Sequence, residues 1–523
     1  MDSFNYVIVG SGPSGVSAGL QLEGKGACIV DVGISEKVNF AYSSLDEALK
    51  SGNIESILGP SWEMLSNITM PDKIHPKLRF PGVNYIQSGQ SFSVLDEFGD
   101  TCFRGAGSFA AGGLSNAWGS QLLRYNNNDL VEAGDWPIKI DILEAYYRSL
   151  ETHIGISGEI DDMYNFLGET KDMLPPIPIV PAANFILNRY AKRSKKLSSF
   201  LLGRPRLALL TRKYRGYSAY TFSETEFFTT NQPGSYTARR SLEELRARGK
   251  IEYYPGQELI AYREFSEFIE IDLRHKESNA TQTLRTKHLL LACGTCQTAR
   301  IVLLNKKTVL KSLPFIDQPP TLIPLFIPRM FGSSIPTRTF PIQLTASITD
   351  NYQRDMISFY YPGGLLWSDL LADMPLPINA ALKVLPHILG GLLIAQIWET
   401  SKPQSKNRLS LDSRGSIVIN YPQRSDYSGL NKLLRAIRPF GMYTFQKFAK
   451  SYPPGSGFHY VGCLPMRYKP GDFETHIDGR LYGSMRLRII DGSVLPSIPA
   501  KNHSLTMMAN AARIADETSR CGY

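Results

Sequence analysis

Two hydrophobic periods alternate along this chain. Residues 4–9 are a short aromatic and β-branched run that stops at a glycine, which predicts a buried strand. Residues 14–24 carry small residues at helical spacing, and residues 27–32 form a second buried strand, so the chain opens on a strand–helix–strand unit. Helical spacing recurs at 44–58, 140–153, 241–248, 297–304, 426–450 and 505–519. Strand-like runs fall at 251–254, 261–262, 268–273 and 288–292, and again at 340–348, 357–361, 392–398 and 417–421. The second group predicts an antiparallel sheet, and the proline-rich stretch 313–328 predicts an irregular crossover. The fold class expected is α/β, opening on a Rossmann-like unit.

Composition bounds this picture. The 523 residues, 43% hydrophobic and 20% charged, suit two or three packed domains rather than a disordered chain. Cys28, Cys102, Cys293, Cys296, Cys463 and Cys521 are scattered, which fits a reducing compartment without a disulfide framework. The first residues lack a basic region and an apolar core of signal length. The least polar long stretch, 376–398, is broken by Asn379, Lys383, Pro386 and His387. Neither a secretory leader nor a spanning helix is expected, and a cytoplasmic location is.

The formal charge of +9 is local. Arg189, Lys192, Arg193, Lys195, Lys196, Arg204, Arg206, Arg212, Lys213 and Arg215 stand in a span with no acidic residue, and the remainder is close to neutral. Phe185-Ile186-Leu187 precedes this block and Phe200-Leu201-Leu202 interrupts it. The pattern suits either a solvated surface or a peripheral contact of 189–215 with an anionic membrane. No recognition motif accompanies the charge, so no nucleic-acid partner is expected.

Candidate chemistry begins at Gly10-Ser11-Gly12-Pro13-Ser14-Gly15, between the first strand and the first helix. Gly10 allows the tight turn, Gly12 lets backbone approach a pyrophosphate, and Gly15 lets the helix pack on the strand. The helix N-terminus adds N–H donors and partial positive charge. Asp31, near the end of the second strand, is placed to accept from a ribose hydroxyl. Residues 105–119 are too rich in glycine for a packed element and suggest a loop laid against a ligand. Cys293-Gly294-Thr295-Cys296 has no second pair to complete a metal site, so two packed thiols are expected and no metal. The aromatic residues Phe340, Phe359, Tyr360, Tyr361, Trp367 and Trp398 could line a substrate site or simply fill a core.

Four segments together resemble the glucose–methanol–choline (GMC) oxidoreductases. Residues 491–512, Asp491-Gly492-Ser493 followed by Pro496, Asn502, Thr506 and Ala509, resemble that family's C-terminal pattern D-[GA]-S-x-x-P-x-x-x-x-x-N-x-x-x-T-x-x-A. Gly112-Gly113-Leu114-Ser115-Asn116-Ala117-Trp118-Gly119 resembles its flavin loop, residues 290–300 its strand–helix turn, and residues 458–466 its H-x-x-G segment. The matches fall in the family's order, while 34–100, 155–240 and 305–455 match loosely.

The resemblance implies an FAD-binding domain at 1–135, 211–310 and 456–523. With it is interleaved an α+β substrate domain at 136–210 and 311–455 on the antiparallel sheet. It implies non-covalent FAD held by Gly10, Gly12, Pro13, Ser14, Gly15, Asp31, Gly112, Gly113, Ser115, Asn116, Trp118, Gly119, Cys293, Gly294, Asp491, Gly492, Asn502, Ser504, Leu505 and Thr506. No histidine stands in 104–113 to support a covalent flavin link. The implied reaction oxidises a CH–OH group of a small alcohol or sugar to an aldehyde or ketone. Electrons pass on to oxygen or to a redox partner. His459 carries over as the base and Asn502 as its partner. His503 stands where proline is frequent and Leu114 where serine or threonine is, so Asn502 and His503 both remain candidates to face the flavin. A different flavin chemistry on this scaffold, or a non-catalytic flavin-binding protein, are the alternatives.

Overall fold

Strand Ser3–Val9 lies inside a seven-stranded sheet, hydrogen-bonded in parallel to Ala27–Val30 on one side and to Thr281–Leu291 on the other. Both of its faces are covered, which is why its apolar residues run without alternation. Val7, Val9, Leu289 and Leu291 point into one core and Ile8 and Leu290 into another. Glu252–Tyr254 extends the sheet beyond Ala27–Val30. Gln257–Glu264 and Ile269–His275 extend it beyond the first half of Thr281–Leu291, and Leu487–Ile489 pairs with its second half. Helix Pro13–Leu22 packs against Ala238–Ala247 and the C-terminal helix Ser504–Arg520. The computed structural model describes residues 2–35, 51, 85–87, 93–94, 103, 105–193, 199–222, 232–306, 312–334, 338–350, 353–362, 370–371, 374–422 and 427–520. The helix expected at 44–58, apart from residue 51, and Cys102, Cys521, Lys195, Lys196 and Trp367 lie outside the described residues.

A second sheet has six strands, all antiparallel to their neighbours. Their order is Lys450–Ser451, Thr321–Phe326, Leu392–Trp398, Gln353–Tyr360, Ile342–Asp350 and Phe200–Gly203. Helices Pro181–Ala191 and Leu430–Ile437 cover one face with Ile186, Tyr190, Leu433 and Ile437. A third, four-stranded sheet joins Ser93–Val94, Ile417–Asn420, Arg408–Leu411 and Ser312–Pro314.

Five expectations are corrected. The strand expected at 288–292 is Thr281–Leu291, because its first half alternates polar residues and is half-covered. The crossover expected at 313–328 contains strands Ser312–Pro314 and Thr321–Phe326. Pro324 is tolerated there because Phe326, two residues on, exchanges both backbone bonds with Tyr443, so the donor missing at Pro324 faces that same side. Residues 417–421 belong to the third sheet, not to the antiparallel one. The helix expected at 426–450 is Leu430–Ile437 followed by a short turn at Arg438–Phe440, where Pro439 and the left-handed Gly441 end it. Finally, the apolar residues that flank and interrupt the basic block face inward. Ile186, Phe200 and Leu202 are buried, and Arg204 and Arg206 are themselves interior, donating to the carbonyls of Ile177 and Glu159. That run of apolar residues therefore supplies core rather than surface. Phe340, Phe359 and Tyr361 are likewise core residues. No helix among the described residues is long and apolar enough to cross a membrane.

One buried ion cluster ties the early chain to its end. Lys501 is fully buried, its Nζ 2.5 Å from Asp129 and 3.3 Å from the Arg124 carbonyl. Asp129 also receives Arg354 at 3.1 Å, and Arg354 reaches Glu132 at 2.7 Å. Asp129→Asn would leave the buried Lys501 without its carboxylate and the half-buried Arg354 with Glu132 alone, so urea unfolding should show a loss of about 3–5 kcal/mol. Lys501→Met should cost less, since Arg354 still pairs with Asp129. The opposite order would contradict this account of the cluster.

Candidate active site

The glycine turn sits where backbone crowding leaves no room for side chains. Gly10 has φ +106°, and a Cβ there would lie 2.8 Å from the Ala292 carbonyl carbon. A Cβ on Gly15 would collide with the Gly10 carbonyl. At Gly12, by contrast, a Cβ would meet nothing within 4 Å, so the turn opens outward at its middle glycine. Pro13 starts the helix, no side chain caps it, and its first internal bond is Val16 N–H to the Gly12 carbonyl. The Ser14 and Gly15 N–H groups therefore have no helical acceptor, and the buried Ser14 hydroxyl has no partner among the described residues.

The glycine-rich loop lies across this turn. Gly113 and its neighbours form a short turn, Gly113–Ala117, and a Cβ on Gly113 would stand 3.4 Å from the Gly12 Cα. The Gly112 N–H donates to Ser11 Oγ at 3.0 Å, and the Ser11 hydroxyl donates to Asp31. Burial pushes the Asp31 carboxyl up to about 7, against the opposing pull of that hydroxyl. Ser115 Oγ donates to the Gly112 carbonyl and accepts from Ala238 N–H, and Trp118 donates to the Tyr236 carbonyl, so Gly119 leaves a pinned loop. Asn116 spends its NH2 on the Ala111 and Gly113 carbonyls, and its Oδ1 is buried without a partner among the described residues. At its start the loop reaches Tyr460, whose hydroxyl accepts from Ala106 N–H at 3.2 Å. The loop thus runs from Tyr460, beside His459, to the glycine turn.

The turn at Cys293 and Gly294 adjoins Gly10. Cys293 donates to the Val9 carbonyl and Cys296 is buried in the core, so both thiols pack. Gly294, at φ +81°, precedes helix Thr295–Asn305 and has open space where its Cβ would lie. Asp491 accepts from the Thr298 hydroxyl and from Ser493 N–H. Burial raises its carboxyl above the ordinary range. Gly492 is held where a Cβ would be 2.7 Å from both Thr295 Oγ1 and the Tyr460 carbonyl.

The histidine comes from a different segment. An antiparallel bridge between Ile316 and Val461 sets a register in which Gln318 falls opposite His459. Gln318 is buried, and its Nε2 donates to the Glu399 carbonyl at 2.8 Å and the Pro499 carbonyl at 2.7 Å. Carbonyls only accept, so the amide NH2 must face them and Oε1 must face the ring. Oε1 lies 2.8 Å from His459 Nδ1, which therefore carries the proton, leaving Nε2 with a free lone pair. Trp398 stacks on the ring at 4.5 Å and 27°, and His503 meets it edge-on with centroids 5.3 Å apart. Phe458, at φ +54°, takes a left-handed conformation that bulky residues rarely adopt and turns the chain into His459. Burial and the nearby His503 hold the His459 imidazole well below its usual range.

Asn502 and His503 follow the buried Lys501 and precede the C-terminal helix, whose first internal bond is Met507 N–H to the His503 carbonyl. The N–H groups of Ser504, Leu505 and Thr506 precede that bond. The side chain of Leu505 faces the core, and Thr506 Oγ1 is engaged with the Tyr147 hydroxyl at 2.6 Å. Asn502 Oδ1 and His503 Nδ1 are buried without hydrogen-bond partners among the described residues. Trp398 was named from the sequence as an aromatic that could line a substrate site or fill a core, whereas Gln318, Tyr460 and Lys501 were not among the sequence candidates. Lys501 alone carried a signal, as an isolated cation in a stretch of small and apolar residues.

Burial lowers the His503 imidazole to about 4. Its folded value is depressed, so between pH 6.5 and about 4 the unfolded chain binds more protons, and stability falls as pH drops through that window. Asp31 and Asp491, raised by burial, act in the opposite sense, so the test is a difference. The stability of the wild type minus that of His503→Asn should fall by ~3 kcal/mol from pH 7 to pH 4. A difference independent of pH would remove this reading of a buried neutral ring.

Residues 403–511, which include His459, Asp491, Asn502 and His503, match the family model described as GMC oxidoreductase. Pyridoxine 4-oxidase from Mesorbium loti shares the fold with a TM-score of 0.60 at 14% identity, over 98% of this chain and 99% of that one. An FAD-dependent oxidoreductase from Chaetomium thermophilum, solved in complex with a fragment, shares it with a TM-score of 0.60 at 14% identity, over 98% of each chain. No curated protein sequence matches the chain. The GMC oxidoreductase match thus covers the C-terminal segment that carries His459 and Asn502, and the fold is shared with these two structures over nearly the whole chain.

Proposed function

We propose that this protein is an FAD-dependent enzyme that oxidises a CH–OH group to a carbonyl, with His459 as the base. The observation that carries the proposal is the His459 tautomer, with Nδ1–H held by Gln318 and Nε2 free to accept. The domain segments are those stated above, with the FAD domain at 1–135, 211–310 and 456–523.

The residues present fit FAD. The open face of Gly12, the free Ser14 and Gly15 N–H groups and the unpartnered Ser14 hydroxyl suit a pyrophosphate. Asp31 keeps acceptor capacity for a ribose hydroxyl beyond the bond from Ser11. The unpartnered Asn116 Oδ1 and the N–H groups of Ser504 to Thr506 offer an acceptor and donors to the ring system. FAD, when bound, supplies the acceptor for the substrate's hydride.

The chain's own residues handle the proton. His459 Nε2 accepts it from the substrate hydroxyl, and the charge that forms on the ring is met at Nδ1–H by Gln318 Oε1. Trp398 restricts the tilt of the ring, and the Asn502 amide holds the substrate oxygen. His503, neutral at physiological pH, adds no positive charge of its own beside His459. Because the His459 imidazole is held below its usual range, the base stays unprotonated at mildly acid pH.

Purified protein should be yellow and should bleach anaerobically with at least one member of a panel of sugars, polyols, sterols and aromatic alcohols. Colourless protein that takes up no FAD would undo the assignment. With a bleaching substrate, His459→Ala should keep its flavin spectrum and slow reduction by about 10²–10⁴-fold. The wild-type rate should stay flat from pH 8 down to 6.5. Unchanged reduction in the variant would remove His459 as the base.

A further inference from the structure

Helix Ile378–Leu389 is apolar on its outer face as well as its inner one. Leu385 and Leu389 are buried, yet Leu382 is 49% exposed, Ile378 37% and the preceding Leu376 42%. A surface helix normally turns polar residues outward. The apolar surface continues into neighbouring segments. The helix end is tied to the turn carrying Phe331 by the bond from Gly332 N–H to the His387 carbonyl, and Phe331 is 41% exposed. The strand leading to that turn pairs Phe326 with Tyr443, and Phe445, 62% exposed, packs edge-on against Phe448.

Among the described residues of the segments that build this strip, the charge has one sign. Residues 318–349, 374–398 and 427–471 contain no aspartate or glutamate. Asp369 and Asp373, before the helix, lie outside the described residues. Arg329, Lys383 and Lys447 are exposed within the strip. The start of the basic block joins it, since Arg189 and Arg193 both donate to the Pro439 carbonyl, with Lys192 exposed between them. None of these six cations forms an ion pair with a carboxylate among the described residues. Exposed apolar anchors inside a field of unpaired cations match a bilayer surface, where acyl chains take the former and anionic headgroups the latter.

We infer that this face, built on Leu376 to Leu389, Phe331 and residues 443–448, docks the protein on an anionic phospholipid surface without spanning it. The inference needs no catalytic role for any of these residues. Strands Thr321–Phe326 and Leu392–Trp398 run between the two regions, with Trp398 at the His459 end and Phe326 and Leu392 at the docking end, about 20 Å apart. Docking therefore leaves the His459 end of the sheet clear of the headgroups.

The test is co-sedimentation of the full-length protein with phosphatidylcholine vesicles and with vesicles also containing phosphatidylglycerol, at low and high salt. Binding should appear on the anionic vesicles and weaken with salt. It should be lost in Leu382→Glu/Phe445→Glu, while Val131→Glu, an exposed apolar residue elsewhere, should leave it unchanged. Each of Lys192→Gln, Arg193→Gln and Lys383→Gln should lower partitioning about fivefold. The flavin spectrum of every variant checks that the fold is kept. No binding to anionic vesicles, or equal loss in Val131→Glu, would overturn the inference. So would a dimer, dissolved by Leu382→Glu/Phe445→Glu, in a protein that ignores vesicles, since the occupant would then be a second copy.

Discussion

The Gln318 side chain holds three parts of the chain together, and the chemistry proposed depends on it. Its NH2 is committed to the Glu399 and Pro499 carbonyls, which bring the end of one sheet strand and the loop before Asn502 to the same point. With both donors used, its oxygen can only accept, and His459 must present Nδ1–H to it. A hydrogen bond made inside a buried, low-dielectric site is costly to leave unmade, so the tautomer is firmly set. The lone pair on Nε2, and with it the capacity to take a hydroxyl proton, is a consequence of two backbone carbonyls that accept from the Gln318 amide.

The rest of the site is arranged around the same economy of buried polar groups. Lys501 is sealed in by Asp129, which fixes the residue just before Asn502. Asp491 accepts from Thr298 and Ser493 and knits the loop carrying Gly492 to the turn at Gly294. Ser14 Oγ, Asn116 Oδ1, Asn502 Oδ1 and His503 Nδ1 are among the buried side-chain atoms without partners among the described residues. They come from the glycine turn, the loop lying over it and the start of the C-terminal helix, the segments proposed to hold FAD and substrate.

What could be read in the sequence was what local backbone chemistry dictates. Gly10, Gly12 and Gly15 announce themselves because a turn into a helix has few solutions, and the first strand's unbroken apolar run follows from burial on both faces. Thr281 to Lys287 was hidden because an edge-like, half-covered strand alternates polar residues. Thr321–Phe326 was hidden by Pro324, whose missing donor turns out to face the side it can be missed from. Phe200 to Leu202 looked like surface because of its basic neighbours, although it is an edge strand of the second sheet. His459, Asn502 and His503 were visible through family-like motifs. Gln318 was not, because a glutamine between Asp317 and Pro319 has no local pattern, and its role arises only from the bridge between Ile316 and Val461.

The protonation state of His459 is the hinge of this account. Nitrogen-15 NMR of protein labelled at histidine, with His459 assigned by its loss in a His459→Gln variant, reads both ring nitrogens directly. At pH 7 the ring should be neutral, with the proton on Nδ1 and a bare Nε2, and should shift toward the other tautomer in Gln318→Leu. A ring protonated at both nitrogens, or one carrying its proton on Nε2 in the wild type, would contradict it.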